Sequence, residues 1–224
     1  MKFSTLFALV AVTVCLFFCT NAQAGYLLSW DATPTMSDPV DNALTAGRDI
    51  YNGVWVDSDT NYWYFRMDLR DAPSVVGNSY SGLYGIYIDA IDGVGGSHGD
   101  TDYIPTGLTG IDYIIDSHFN NSGTGTWEDN HYHYGWNGAG FQIGAVDETQ
   151  QTENGGKTLE WKIARSKIGD EFTFWAATHD VGSSAPTYDL APNAGLPGIT
   201  VSIPEPSTLL LLVAGMMAML IRRK

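Results

Sequence analysis

The chain is 224 residues long, with 25 acidic against 11 basic residues and a formal charge of −14. Such an acidic surplus repels phosphate, which argues against nucleic acid or anionic lipid as partner of the folded part, and suits a soluble extracellular domain able to take up divalent cations. Both cysteines, Cys15 and Cys19, fall within the first 24 residues, so the remainder can form no disulfide and offers no thiol nucleophile.

Residues 1–24, "MKFSTLFALVAVTVCLFFCTNAQA", combine a basic Lys2, a long apolar run and the small-x-small triplet Ala22-Gln23-Ala24. This predicts a secretory signal peptide, a signal helix cleaved after Ala24. A buried N-terminal helix would show a polar face instead. Gly25 stands where a lipoprotein would need a cysteine.

Residues 25–195 are expected to form one domain, large enough for a proper core. Short runs rich in Tyr, Trp, Ile, Val and Phe are punctuated by Gly, Asn, Asp, Ser and Thr at all-β spacing. The expected fold class is therefore all-β, an antiparallel β-sandwich of jelly-roll-like form. In "DIYNGVWVDSDTNYWYFRMDL", Ile50, Val54 and Val56 lead into a polar turn at residues 57–61. The return strand then alternates, with Tyr62, Tyr64, Arg66 and Asp68 on one face and Trp63, Phe65, Met67 and Leu69 on the other, the core face. "YGIYIDA", "GIDYIID", "TLEWKIA" and "FTFWAATHD" read as further strands, with one turn of helix or a tight turn at residues 165–169. In "LEWKI" the alternation points Leu159, Trp161 and Ile163 inward and Glu160 and Lys162 to solvent. "APNAGLPG" ends the fold, and residues 196–203 are expected to be a linker.

Residues 204–224 hold three parts in order: Pro204, Glu205 and Pro206, an apolar run from Ser207 to Ile221 without a charge, and the basic cluster Arg222, Arg223 and Lys224. As a helix the run spans roughly 22 Å, and its flanks extend it toward the ~30 Å of a bilayer core. A transmembrane helix is expected, its basic end cytoplasmic by the positive-inside rule and everything upstream outside. The two prolines forbid helix through the motif and keep it extended and accessible. This layout resembles the PEP-CTERM sorting signal. The resemblance implies a Gram-negative bacterial protein handled by the secretion machinery and by an exosortase, with transient inner-membrane anchoring and processing near the motif. It further implies release or attachment at a cell surface or extracellular matrix rich in exopolysaccharide. Removing both terminal segments leaves 7 of the basic and 24 of the acidic residues, a formal charge of −17.

The order of motifs over residues 45–180 is similar to the DOMON-like β-sandwich group that includes family 9 carbohydrate-binding modules. The resemblance implies a lectin-like sandwich that often binds calcium and in some members sugar; it does not imply catalysis. In that group the aspartate ending the "YID" strand and the one in "DY" often sit near calcium, which corresponds here to Asp89 and Asp112. Asp92 follows by local spacing in the glycine-rich loop, where carbonyls and carboxylates can turn onto a hard cation. The alternative is that these aspartates cap turns.

"TWEDNHYHYGWNG" contains the candidate sugar platform, Trp127, Tyr132, Tyr134 and Trp136, because flat rings stack on the C–H faces of sugars. Aromatics in a sandwich also serve simply as core or cross-strand pairs. His131 and His133 fall on one strand face, and a closed metal site would need His118 or His179 as well. Glu160 could act with an aspartate in glycoside hydrolysis, yet no Gly-x-Ser-x-Gly elbow, His-Glu-x-x-His or phosphate loop is present. The expectation is an exported, non-enzymatic, carbohydrate-binding sandwich with structural calcium. The alternatives are a structural or adhesive matrix protein without a sugar site and, third, a carbohydrate-active enzyme.

Overall fold

The computed structural model describes residues 27–38, 46–73, 81–91, 94–97, 99, 103–120, 131–143, 150–153, 156–181, 189–193 and 195–203. The expected signal helix (residues 1–24) and transmembrane helix lie outside them. Among the described residues no helix is long and apolar enough to cross a membrane.

Among the described residues there are thirteen strands: β1 (Ile50–Ser58), β2 (Tyr62–Leu69), β3 (Ser81–Asp89), β4 (Gly96–Ser97), β5 (Thr109–Ile111), β6 (Tyr113–Asn120) and β7 (His131–Trp136). They continue with β8 (Phe141–Ile143), β9 (Gln150–Glu153), β10 (Thr158–Ala164), β11 (Glu171–Val181), β12 (Asp189–Ala191) and β13 (Ile199–Ser202). A 3-10 turn at Ala46–Arg48 precedes β1, and one helical turn, Arg165–Ile168, joins β10 to β11. The strands pair antiparallel into a sheet of order β1-β2-β10-β9 and a larger one of order β12-β11-β3-β6-β7-β8. β4 and β5 form a small ribbon.

The two large sheets face each other. Trp63, Phe65, Met67 and Leu69 of β2 and Leu159, Trp161 and Ile163 of β10 are buried against Tyr84, Ile86, Ile88, Ile115, Phe172 and Phe174. The Phe65 ring sits 5.9 Å from Phe172 and 6.0 Å from Phe174, and Trp63 meets Phe172 edge-on at 4.9 Å. The Trp161 indole N–H crosses the core to the Ser117 hydroxyl at 2.8 Å, which satisfies the one polar atom such a ring brings inside. The sandwich expected from the sequence is the observed architecture.

The larger sheet is covered on its other face too. There Tyr87, Ile114 and Ala177 are buried with Ile104, Leu108, Ile111 and Leu190 in a second apolar cluster. Strands apolar on both faces require this, since one open face would leave large rings in water.

Leu27, Trp30 and Asp31 lie against the outer face of the smaller sheet, and the segment continues to Met36 at the β1 edge. Met36 and Val54 exchange backbone hydrogen bonds of 3.0 and 2.8 Å. Gly53, at φ 125°, makes that approach feasible, because a Cβ there would stand 2.0 Å from the Met36 carbonyl oxygen. The Trp55 indole N–H donates to the Asp31 carbonyl at 3.0 Å. This layer overturns the reading of Glu160 as solvated. Glu160 is fully buried and accepts hydrogen bonds from the Leu27 N–H at 2.7 Å and the Trp30 indole N–H. Alternation tells which face a residue takes, and here another segment lies on that face.

Residues 196–203 are not a free linker. β13 pairs with β11 through Glu171↔Ser202, Phe172↔Val201, Thr173↔Thr200 and Phe174↔Ile199, and Ile199, Val201 and Ile203 pack against the core. The glycines and prolines before it mark a turn into a last strand.

Phe65→Ala should cost about 3–5 kcal/mol, read as a lower urea midpoint with unchanged slope; a loss under about 1 kcal/mol would show that the inter-sheet rings do not carry the packing.

Candidate functional site

Asp112 is buried in the turn between β5 and β6. Its Oδ2 accepts the N–H groups of Ala90 and Ile91, both at 2.8 Å. Burial raises its pKa, and the two N–H bonds pull it back without cancelling that. This is turn-capping work. Asp89 ends β3 half-buried, its Oδ2 3.3 Å from where a side chain on Gly110 would begin. Asp92 lies outside the described residues.

Of the aromatic platform, Tyr134 and Trp136 are described in full and half-buried on β7, on the outer face of the larger sheet. Tyr132 shares that face by register, opposite Asp116, and its side chain is not described; Trp127 lies outside the described residues. Tyr134 stacks on Tyr103, centroids 5.8 Å apart at 25°. Trp136 meets Phe141 edge-on at 5.2 Å. Tyr103, Tyr134, Trp136 and Phe141, none of them fully buried, thus make an aromatic band along β7 and β8. His133 points the other way, buried and stacked on Tyr113 at 5.5 Å and 11°. His118 is on the outer face, so His118 and His133, the histidines whose side chains are described, lie on opposite sides of one sheet and cannot share an ion.

Beside the band sits a polar pair that the sequence held in plain view. Asp116 and His118, two apart on β6, share a face, and Asp116 Oδ1 lies 3.0 Å from His118 Nε2. Asp116 is fully buried while the His118 side chain keeps 10% of its surface. Asp116 Oδ2 has no hydrogen-bond partner among the described residues. Gly85, opposite Asp116 in the register, makes room, since a Cβ there would meet Asp116 Cβ at 3.0 Å. Tyr103 leans over His118 at 5.9 Å, and its carbonyl accepts the Tyr87 hydroxyl at 3.0 Å. Burial drives the Asp116 pKa up, His118 opposing. Burial, with the Asp116 charge adding to it, also holds the Tyr87 hydroxyl well above its ordinary value. Together these groups offer a hydrogen-bonding imidazole at the edge of a row of rings.

A second cluster was not legible beforehand. Asp38 from the N-terminal segment, Asp49 before β1 and Asp189 on β12 are buried, each with a carboxylate oxygen within 4.8 Å of the others. Asp189 Oδ2 accepts the Ile50 N–H at 2.7 Å, and Arg70 Nη1 stands 2.9 Å from Asp49 Oδ2. Arg48, also buried, packs over Tyr84, and desolvation lowers its pKa. The oxygens are the donor type a hard cation takes, and the arginine at Asp49 already supplies part of the countercharge.

Residues 202–224 match the PEP-CTERM protein-sorting motif. The motif is that of an exported protein sorted by an exosortase to the cell surface or envelope. Pro204, Glu205 and Pro206 belong to it and lie outside the described residues. No curated protein and no solved structure matches the chain.

Since burial favours the neutral carboxyl, folded Asp116 holds its proton to higher pH than the unfolded chain does. Its stabilising effect is full below the ordinary carboxylate pKa of about 3.9 and is lost as pH rises from there through the raised folded value. Relative to Asp116→Asn, which keeps an acceptor for His118, the wild type should lose urea resistance as pH rises above about 4; parallel pH curves would mean the carboxyl is no more desolvated than in the unfolded chain.

Proposed function

We propose that this chain is an exported, non-enzymatic β-sandwich that binds polysaccharide at the cell surface or in the extracellular matrix. Its tail, residues 207–221, anchors it to the inner membrane of a Gram-negative cell until an exosortase acts. The observation that carries the binding reading is the aromatic band: Tyr103 and Tyr134 stacked and half-exposed, with Trp136 and Phe141 continuing the row and His118 at its edge. Rings so placed can meet the C–H faces of consecutive sugar units while the imidazole takes a hydroxyl. The likeness of the strand motifs to DOMON-like and family 9 carbohydrate-binding sandwiches points the same way. Glu160, the strand-face carboxylate first considered for catalysis, is buried under residues 27–38, which weighs against a glycosidase pair there.

Structural calcium belongs to the same reading. Its best oxygen donors are Asp38, Asp49 and Asp189, rather than Asp112, whose Oδ2 is taken up by two N–H groups. A chelator should then lower the melting temperature, and an unchanged melting curve removes calcium from the reading.

The competing reading, a structural or adhesive protein with no sugar site, draws on the edge-on packing of Trp136 on Phe141, which gives these rings a packing role of their own. Affinity electrophoresis against a polysaccharide panel that includes the host's own separates the two. Tyr134→Ala and Trp136→Ala should each weaken binding about tenfold, or ~1.4 kcal/mol, with melting temperatures showing that both variants fold. Binding to no polysaccharide at all decides for the structural protein.

A further inference from the structure

The sorting motif and the fold overlap. The motif begins at residue 202, whereas β13 runs Ile199–Ser202 and the Ile203 N–H still donates to the Asp170 carbonyl at 2.9 Å. Pro204 therefore follows directly on a residue hydrogen-bonded to the sandwich. Resting on the reading that an exosortase processes this chain, we propose that β13 is a positioning element for that reaction. Paired with β11 it keeps Ser202 and Ile203, at the start of the motif, tied to the sandwich, and the chain becomes a substrate when β13 leaves β11.

Reach sets the argument. From Ile203 to Ser207, where the apolar run starts, four residues span at most ~14 Å. A domain of roughly 175 residues has a radius of gyration of ~16 Å, so with β13 paired the reach from Ile203 to the apolar run is shorter than the domain's own radius. A membrane-embedded peptidase would have to work in that gap. Unzipping residues 199–203 adds five residues and brings the tether to ~30 Å, enough to clear the domain.

The fold makes β13 the separable piece. Along it, half-buried Ile199 and Val201 alternate with exposed Thr200 and Ser202. Its partners Phe172 and Phe174 are packed against Trp63 and Phe65 on their own account. β12 lies on the same edge of β11 and differs: Asp189, Leu190 and Ala191 are all buried, and Asp189 binds the Ile50 N–H. Losing β13 would uncover part of one edge and leave the core and β12 in place. What holds β13 is modest, namely its backbone pairing, three partly buried aliphatic side chains and the hydroxyl contact of Thr173 with Thr200 at 2.9 Å.

That contact provides the test, because Thr173 and Thr200 are directly opposed, lie outside residues 202–224 and belong to a segment free of cysteine after residue 24. The full chain carrying T173C and T200C is expressed in an exosortase-containing host, and processing is followed by immunoblot and by mass of the C-terminus, with the disulfide confirmed by alkylation. The locked chain should accumulate as precursor at least fivefold over wild type and over each single-cysteine variant. A ten-residue Gly/Ser insert between Ile203 and Pro204, worth up to ~33 Å of further reach, should restore processing while the lock stays closed. The same insert in the otherwise native chain should speed it, a readout that stands even if the double variant folds poorly. Wild-type processing of a verified lock, or no rescue by the insert, overturns the proposal. A wild-type chain that is never shortened overturns the sorting reading and this proposal with it.

Discussion

β3 and β6 bury side chains on both faces, and that constraint shapes everything around them. Tyr84, Ile86 and Ile88 of β3 look toward the smaller sheet while Tyr87 looks away from it, and all four are fully buried. Ile114 and Ile115 divide β6 in the same way. A sheet whose central strands bury both sides needs two covers. The smaller sheet is one, and the segment through Ile104, Leu108 and Ile111 is the other. From the second cover comes the chemistry of the outer face: it closes over Asp116, presses Tyr103 on His118 and Tyr134, and leaves the aromatic band at its margin.

The same economy recurs at the smaller sheet. Its outer face is polar, with Arg66 held by Asp68 in a two-point pair at 2.8 Å and stacked 4.5 Å from the Trp55 ring. The segment 27–38 crosses this polar surface, so its contacts are directional: indole and amide donors onto Glu160, an indole onto a carbonyl. Burying a carboxylate without partners would be costly, and two N–H donors offset it. At the end of the sandwich three carboxylates gather near an arginine, so an acidic chain has concentrated charge inside as well as on its surface.

How far the sequence reached follows from the range of each interaction. The β1–β2 hairpin was legible down to its faces because its register depends on period-two alternation and a short turn; Trp63, Phe65, Met67 and Leu69 lie where the alternation put them. Glu160 was misplaced since what covers a face comes from elsewhere in the chain. Asp38, Asp49 and Asp189 were invisible for a similar reason: the Ile50–Asp189 bond that helps assemble them joins residues 139 apart. β13 was passed over because Pro and Gly dominate the stretch before it, although the alternation in "ITVS" is the signal that would have found it. Asp116 and His118 carried the clearest unused clue, two titratable residues at i and i+2 on one face of a strand that opens Tyr-Ile-Ile.

Sandwich proteins exposed outside the cell face a hazard at their open margins, where unpaired backbone groups invite another chain to add on. β1 is such a margin, and its start is irregular: Ile50 pairs with Leu69 and Val54 with Met67, leaving a bulge in which Asn52 and Gly53 adopt positive φ. Met36 then takes both free backbone groups of Val54. A strand bent in this way and already occupied makes a poor template for fibre growth, so the glycine that admits Met36 also helps keep neighbouring copies apart.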